Sequence, residues 1–365
     1  MLSIFIPQNT LENIVIDNMP ADMEPEEQDV WYKIFIKQEV IYVSSWDEIK
    51  YPIDEDPLFL LSDSFGVEVR YETQYINAIP DNHELVTKYW NGIFLLDITE
   101  EEAVEIQRDY GVICQSINNM DASVLMDPEL RFSPKKREKG YSWDFMLNMI
   151  NAEHIPSNHL IMIDRYLFAD CNEIDNTLDN IFDILDTMLP RHALKLSYKV
   201  TFIIGMPEEG KNIGLSQVAH EVCDMIPGLD RPYYINVEIL FHTYLSGLYS
   251  SIHNRCILTN YTITQLEYKI NAFQDEESRC MQTILAQGLF SSNGLNGYCD
   301  SPHKTHHDVM TAIYNNLFWW IKNYQTSRSI YFYNGKEMKI NDIYTIKKKD
   351  WGDFLCENNE NNIRR

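Results

Sequence analysis

The sequence predicts an α/β protein. Its main part is expected to be a mixed, mostly parallel sheet flanked by helices, preceded by a smaller, strand-rich N-terminal α/β domain. Three observations predict this. Gly92–Leu96, a helix opening at Thr99, and Val112–Gln115 form a strand, helix, strand succession. From Leu160 onward, apolar strands alternate with amphipathic helices, the pattern of parallel strands covered on both faces. Asn334-Gly335 separates two aromatic and β-branched runs, which marks a hairpin with a type I′ turn.

Taken in order, Trp31–Ile36 and Val40–Val43 read as a hairpin, because aromatic and β-branched residues fill both runs. Met19–Gln28, with two prolines and four acids, reads as a loop. Pro57–Leu61 and Gly92–Leu96 read as strands. Thr99-Glu-Glu-Glu102 matches a capping box, so a helix runs from there to about Asp109, with Gly111 as its left-handed stop. Val112–Gln115 is the next strand.

Pro128, Pro134 and Gly140 surround Lys135-Lys-Arg-Glu-Lys139, the most basic segment. The expected division is therefore a first domain 1–127, a basic linker 128–142, a second domain 143–355 and a polar tail 356–365. In the second domain, Leu160–Phe168, Lys199–Ile204, Tyr234–Leu240 and Cys256–Thr262 are the expected strands. Asn176–Leu189, Leu215–Ile226 and Val309–Tyr324 are the expected helices. Ser329–Tyr333 and Met338–Tyr344 form the expected hairpin.

The composition narrows function. Among 365 residues, 30 Lys and Arg face 55 Asp and Glu, a formal net charge of −25. That excludes a protein that coats nucleic acid by bulk charge, since phosphate binding rests on Lys and Arg. An aromatic content of 12% excludes a wholly disordered chain. No run approaches the roughly 18 apolar residues of a membrane span, and Met1–Pro7 lacks the basic flank of a signal peptide. Seven dispersed cysteines without a CxxC read as reduced thiols, so a cytoplasmic protein without membrane partners is expected.

His253-Asn254-Arg255 followed by Asn260 has the spacing H-x-R-x4-N. This resembles the HxKx4D signature of the phospholipase D-like superfamily, with Arg255 in the place of Lys and Asn260 in the place of Asp. The resemblance covers roughly residues 158–270 and implies a phosphodiester ligand, nucleic acid above all, in prokaryotic antiviral defence or a mobile element. It implies that His253 and Arg255 contact phosphate. Arg255 can grip phosphate oxygens bidentately, but Asn260 cannot supply the family's anion. The family's catalysis generally needs two such motifs, from two halves or two chains. One is present here, so a working site would call for a homodimer.

Other candidates stand beside it. Gly205-Met-Pro-Glu-Glu-Gly-Lys211-Asn212 nearly matches a P-loop. Asn212 replaces the Mg²⁺-binding hydroxyl, and Glu208 and Glu209 oppose a phosphate, so an ordinary strand-to-helix loop is the favoured reading. Cys299, His303, His306 and His307 include zinc-ligand types, but no second ligand pair is evident nearby, so a polar helix start is the favoured reading. His306 would otherwise complete a phosphate site with His253 and Arg255. Asp17, Asp63, Asp97 and Asp164 each follow an apolar run read as a strand. Strand-end carboxylates at the ligand edge of an α/β sheet can bind Mg²⁺ or Mn²⁺. In this pattern the first domain loosely resembles PIN-like nucleases.

Three function classes follow. In the first, a phosphodiester or nucleic-acid site uses His253, Arg255 and Asn260, with Arg165 beside it and Lys135, Lys136 and Arg137 in electrostatic contact with the backbone. In the second, a non-catalytic acidic scaffold docks a basic protein. In the third, a metal-dependent nuclease centres on Asp63 and Asp97.

Overall fold

A computed structural model of the chain describes residues 2–18, 28–44, 56–89, 91–126, 130–132, 142–149, 155–168, 174–205, 214–242, 255–266, 270, 284–288, 329–333 and 338–342. The chain divides into two compact units: Met1–Leu125 with Ser292–Cys299, and Met126–Ser291 with Asp300–Arg365. Both are α/β. Among the described residues no helix is long and apolar enough to cross a membrane.

The first unit runs β1 (Ser3–Ile6), α1 (Gln8–Asn18), α2 (Val30–Phe35), β2 (Val40–Val43), α3 (Pro57–Phe65), β3 (Glu68–Tyr71), α4 (Thr73–Ala78), a 3-10 segment (His83–Lys88), β4 (Gly92–Leu96), α5 (Glu100–Tyr110), β5 (Ile113–Ser116) and the short α6 (Ser123–Met126). Its five strands pair in parallel in the order β3-β2-β1-β4-β5. The order reverses between β1 and β4, as in doubly wound sheets. One face carries an aromatic row. Phe5 stacks on Tyr42 and on Phe94, its register partners on β2 and β4, with ring centroids 4.9 Å apart in each pair. Tyr75 of α4 and Tyr89 pack against Phe5 from outside the sheet. Burial raises the Tyr89 phenol to about 12, so it stays neutral.

Three runs of this unit expected as strands are helices. Trp31–Phe35 lies in α2, not in a hairpin: Asp29 caps it, its carboxylate accepting from the Trp31 N–H at 2.7 Å. Trp31, Tyr32, Ile34 and Phe35 are buried, a helical spacing that outweighs their β propensity. Pro57–Leu61 lies in α3. Asp56 is the N-cap, accepting from the Leu58 N–H at 2.9 Å; Pro57 opens the helix and Gly66, at φ 72°, closes it. Ile14–Ile16 is likewise helical, within α1. The expected capping box is present: Thr99 and Glu102 bond reciprocally, and Gly111 ends α5 at φ 62°.

The second unit contains β6 (Leu130–Phe132), α7 (Trp143–Met149), β7 (His159–Asp164), α8 (Ile174–Met188), β8 (Tyr198–Gly205), α9 (Leu215–Met225), β9 (Ile235–His242), β10 (Arg255–Thr259), β11 (Thr262–Leu266), β12 (Ile284–Gly288), β13 (Ser329–Tyr333) and β14 (Met338–Asp342). They form one mixed sheet in the order β14-β13-β9-β8-β7-β10-β11-β12-β6. Its centre, β7-β8-β9, is parallel, and antiparallel strands extend it on both sides. The hairpin β13–β14 forms where Asn334-Gly335 predicts it.

One face of this sheet packs against α7, α8 and α9. Leu160, Met162, Val200, Phe202, Val237 and Ile239 point to a core shared with Trp143 of α7, Ile181 and Leu185 of α8, and Val222 of α9. Trp143 donates its indole N–H to the Asn180 side chain at 2.9 Å, which satisfies the polar edge of a fully buried ring. Two strand boundaries differ from expectation. β7 stops at Asp164, because the Asp164 carboxylate accepts from the Tyr166 N–H and turns the chain over 165–168. The run Cys256–Thr262 is two strands, broken by the tight turn at Asn260-Tyr261.

Candidate phosphate-binding edge

The parallel strands β7, β8 and β9 end together: Asp164 is level with Ile204, and Gly205 with His242. β10 runs antiparallel to β7 and so begins at this same edge. One step beyond the Cys256–Ile163 pair brings Arg255 beside Asp164. In open α/β sheets this C-terminal edge is where ligands sit.

Asp164 is 1% exposed, and its carboxylate is held on several sides. Oδ1 accepts from the Tyr166 N–H at 2.7 Å, and Oδ2 accepts from the Ile270 N–H at 3.2 Å. Arg255 Nε lies 3.5 Å from Oδ1. Burial pushes the Asp164 carboxyl above the usual carboxylate range; the two N–H bonds and the Arg255 charge oppose that shift. Asp164 thus fixes the start of the turn and orients the Arg255 guanidinium.

The same turn carries Arg165 and Tyr166. The Tyr166 ring has both the Arg165 and the Arg255 guanidinium carbons 5.3 Å from its centroid. The two cations therefore stand within twice that distance of each other. Tyr166 is 44% exposed and the Arg255 side chain 19%. Two planar, permanently charged guanidinium groups at this sheet edge can hold the oxygens of a phosphate. Sequence reasoning picked out Arg165 and Arg255 but passed over Tyr166. An aromatic residue following Asp-Arg at the end of an apolar strand was the available signal.

Asn260 belongs elsewhere. β10 has five residues, so four steps of about 3.3 Å put its two ends roughly 13 Å apart. Asn260 is fully buried at the far end. Its Oδ1 accepts from the N–H groups of Asn158 and His159 at 3.0 and 3.1 Å, and its Nδ2 donates to Asn158 Oδ1 at 2.8 Å. The spacing H-x-R-x4-N therefore does not bring Arg255 and Asn260 to one phosphate. Asn260 clamps the start of β7 to the β10–β11 turn. His253, His306, Lys135, Lys136 and Arg137 lie outside the described residues, as do Cys299, His303, His307 and the P-loop-like stretch 206–213.

The expected metal site is not assembled among the described residues, where no group of three or more His, Cys, Asp or Glu side chains is placed to hold an ion. Asp63 is on the exposed side of α3 and Asp17 is in α1, so neither ends a strand. Asp97 does follow β4 and is exposed.

One polar group was missed entirely. On the sheet face opposite α7, α8 and α9, His159 Nε2 and Thr201 Oγ1 are 2.9 Å apart, and Thr201 donates to Glu238 at 3.3 Å. Lys199 Nζ is 3.9 Å from the same carboxylate. Burial, aided by the Lys199 charge, holds the His159 imidazole well below the usual His range. These residues lie on consecutive strands, so only strand pairing brings them together.

Compared with known proteins, the chain matches no family model and no curated sequence.

Proposed function

We propose that the second unit binds a phosphodiester, with nucleic acid as the ligand class, through Arg255 and Arg165 at the C-terminal edge of β7. The observation that carries this reading is the convergence of both guanidinium groups on the exposed Tyr166 ring beside the buried Asp164. The phospholipase D-like resemblance around Arg255 supports the same ligand chemistry. Lys135, Lys136 and Arg137 would add sequence-independent attraction to a phosphate backbone. The reading is one of binding, with no chemical step assigned.

The test is fluorescence anisotropy of a labelled oligonucleotide at low salt with the wild type and Arg165→Gln. Arg165 is the cleaner position, because replacing Arg255 also strips the buried Asp164 of its cation. Weakened binding by a folded Arg165→Gln supports the proposal. Binding equal to wild type refutes it.

A second reading, an acidic face that docks a basic protein, has its own observation. Asp183 on α8 has its carboxyl pushed up first by burial, then by Asp179, Asp186 and Asp144 nearby. Asp186 is already paired with Arg231 at 2.8 Å and Arg191 at 3.1 Å; a cationic partner would relieve the like charges of Asp144, Asp179 and Asp183. Binding of a polylysine probe that is lost at high salt and on Asp179→Asn/Asp183→Asn supports it; salt-independent binding counts against it.

A further inference from the structure

We infer that the edge at β7 selects single-stranded nucleic acid, with Tyr166 as the platform on which a base stacks. This rests on the phosphodiester reading above and adds the ligand's form to it. Tyr166 is the second residue after the buried strand β7, between Arg165 and the buried Leu167 and Phe168. Every residue from Leu160 to Asp164 is buried, as are Leu167 and Phe168, yet Tyr166 itself is 44% exposed. The backbone under it is fixed, since the Tyr166 N–H is bonded to the buried Asp164 carboxylate at 2.7 Å. Tyr166 is therefore an exposed aromatic residue on a fixed backbone, with two guanidinium groups over its ring.

A phosphate alone would engage only the guanidinium groups. A duplex presents phosphates while its bases stay stacked inside. A single strand offers phosphates and unstacked bases at one repeat, which matches a ring with guanidinium groups beside it. Base stacking on an aromatic side chain tolerates every base, so the inferred preference is for strandedness, with little sequence discrimination.

The experiment measures anisotropy of the full-length protein with three labelled probes: a single strand, an abasic strand of the same length and the matching duplex. The single strand is expected to bind tightest. Tyr166→Ala should weaken it by roughly 5- to 100-fold, with the abasic strand unchanged and the thermal midpoint retained. Tyr166→Phe, which keeps the ring, should regain the affinity that Ala loses. Duplex binding as tight as single-strand binding overturns the inference, and so does equal weakening of the intact and abasic strands by Tyr166→Ala. If wild type binds intact and abasic strands equally and Arg165→Gln weakens both, stacking falls while the phosphate reading stands. If wild type binds none of the probes, both fall.

Discussion

Asn260 and Asn158 are 102 residues apart in sequence, and their side chains bond at 2.8 Å, both within the protein interior. Asn260 also satisfies the N–H groups of Asn158 and His159, so it closes the polar groups at the head of β7. Asn260→Ala would leave two buried donors and one buried acceptor without it. The expected loss is about 2–4 kcal/mol, read as a lower urea midpoint. Phosphate affinity per folded molecule should not change. Lost affinity at an unchanged midpoint would make Asn260 a ligand residue instead.

Arg255 and Asp164 should be energetically coupled. Arg255→Met leaves a buried carboxylate with its two N–H donors but no cation, a change of about 3–5 kcal/mol where a buried pair is broken. Asp164→Asn removes the charge that needs balancing. In a double-mutant cycle by urea denaturation, the double variant should lose less stability than the two single losses combined. Strict additivity would show that the pair does not interact.

The pH dependence of stability should carry the signature of His159. Unfolded His titrates near 6.5, whereas the folded imidazole is held well below that by burial and by Lys199. Below about pH 6.5 the unfolded chain binds a proton that the folded one refuses, so stability falls as pH drops through this region. Asp164 and Asp183 act with opposite sign. Their raised folded values make the folded state bind more protons above about pH 4, so they cost stability as pH rises toward neutrality. The separating measurement is the thermal midpoint at about pH 5 and about pH 7. His159→Gln should lose less on acidification than wild type, and an identical loss would remove His159 as the cause.

Gly92 should not tolerate a side chain. A Cβ there would lie 2.6 Å from the Phe94 ring and 2.9 Å from the Tyr89 carbonyl oxygen. The ring cannot give way easily, since Phe94 is stacked on Phe5. Gly92→Ala is expected to cost about 1–3 kcal/mol in urea unfolding.

Much of the fold was legible where local chemistry decides. Thr99, Glu102 and Gly111 announce α5 from start to stop, and Asn334-Gly335 announces the last hairpin. Asp56-Pro57 and Gly66 announced α3 just as clearly, but the apolar run Leu58–Leu61 drew the reading toward a strand. Trp31–Phe35 was ambiguous because its residues favour strands while Asp29 caps a helix. The site was legible only in pieces. Arg165 and Arg255 stand out as charges beside apolar runs, but their meeting at Tyr166 depends on β10 lying antiparallel to β7. The same pairing sends Asn260 to the opposite end of the strand, which linear spacing from Arg255 could not reveal. His159, Thr201 and Glu238 meet only through the parallel register of β7, β8 and β9.

The most direct test of the proposed phosphate-binding edge is the salt dependence of single-strand affinity. For each phosphate contact, the logarithm of the binding constant falls with the logarithm of salt concentration by a slope of about 0.7. Arg165→Gln should flatten that slope by about 0.7 and weaken binding at low salt. An unchanged slope and affinity in a folded Arg165→Gln protein would contradict the assignment of this edge to phosphate.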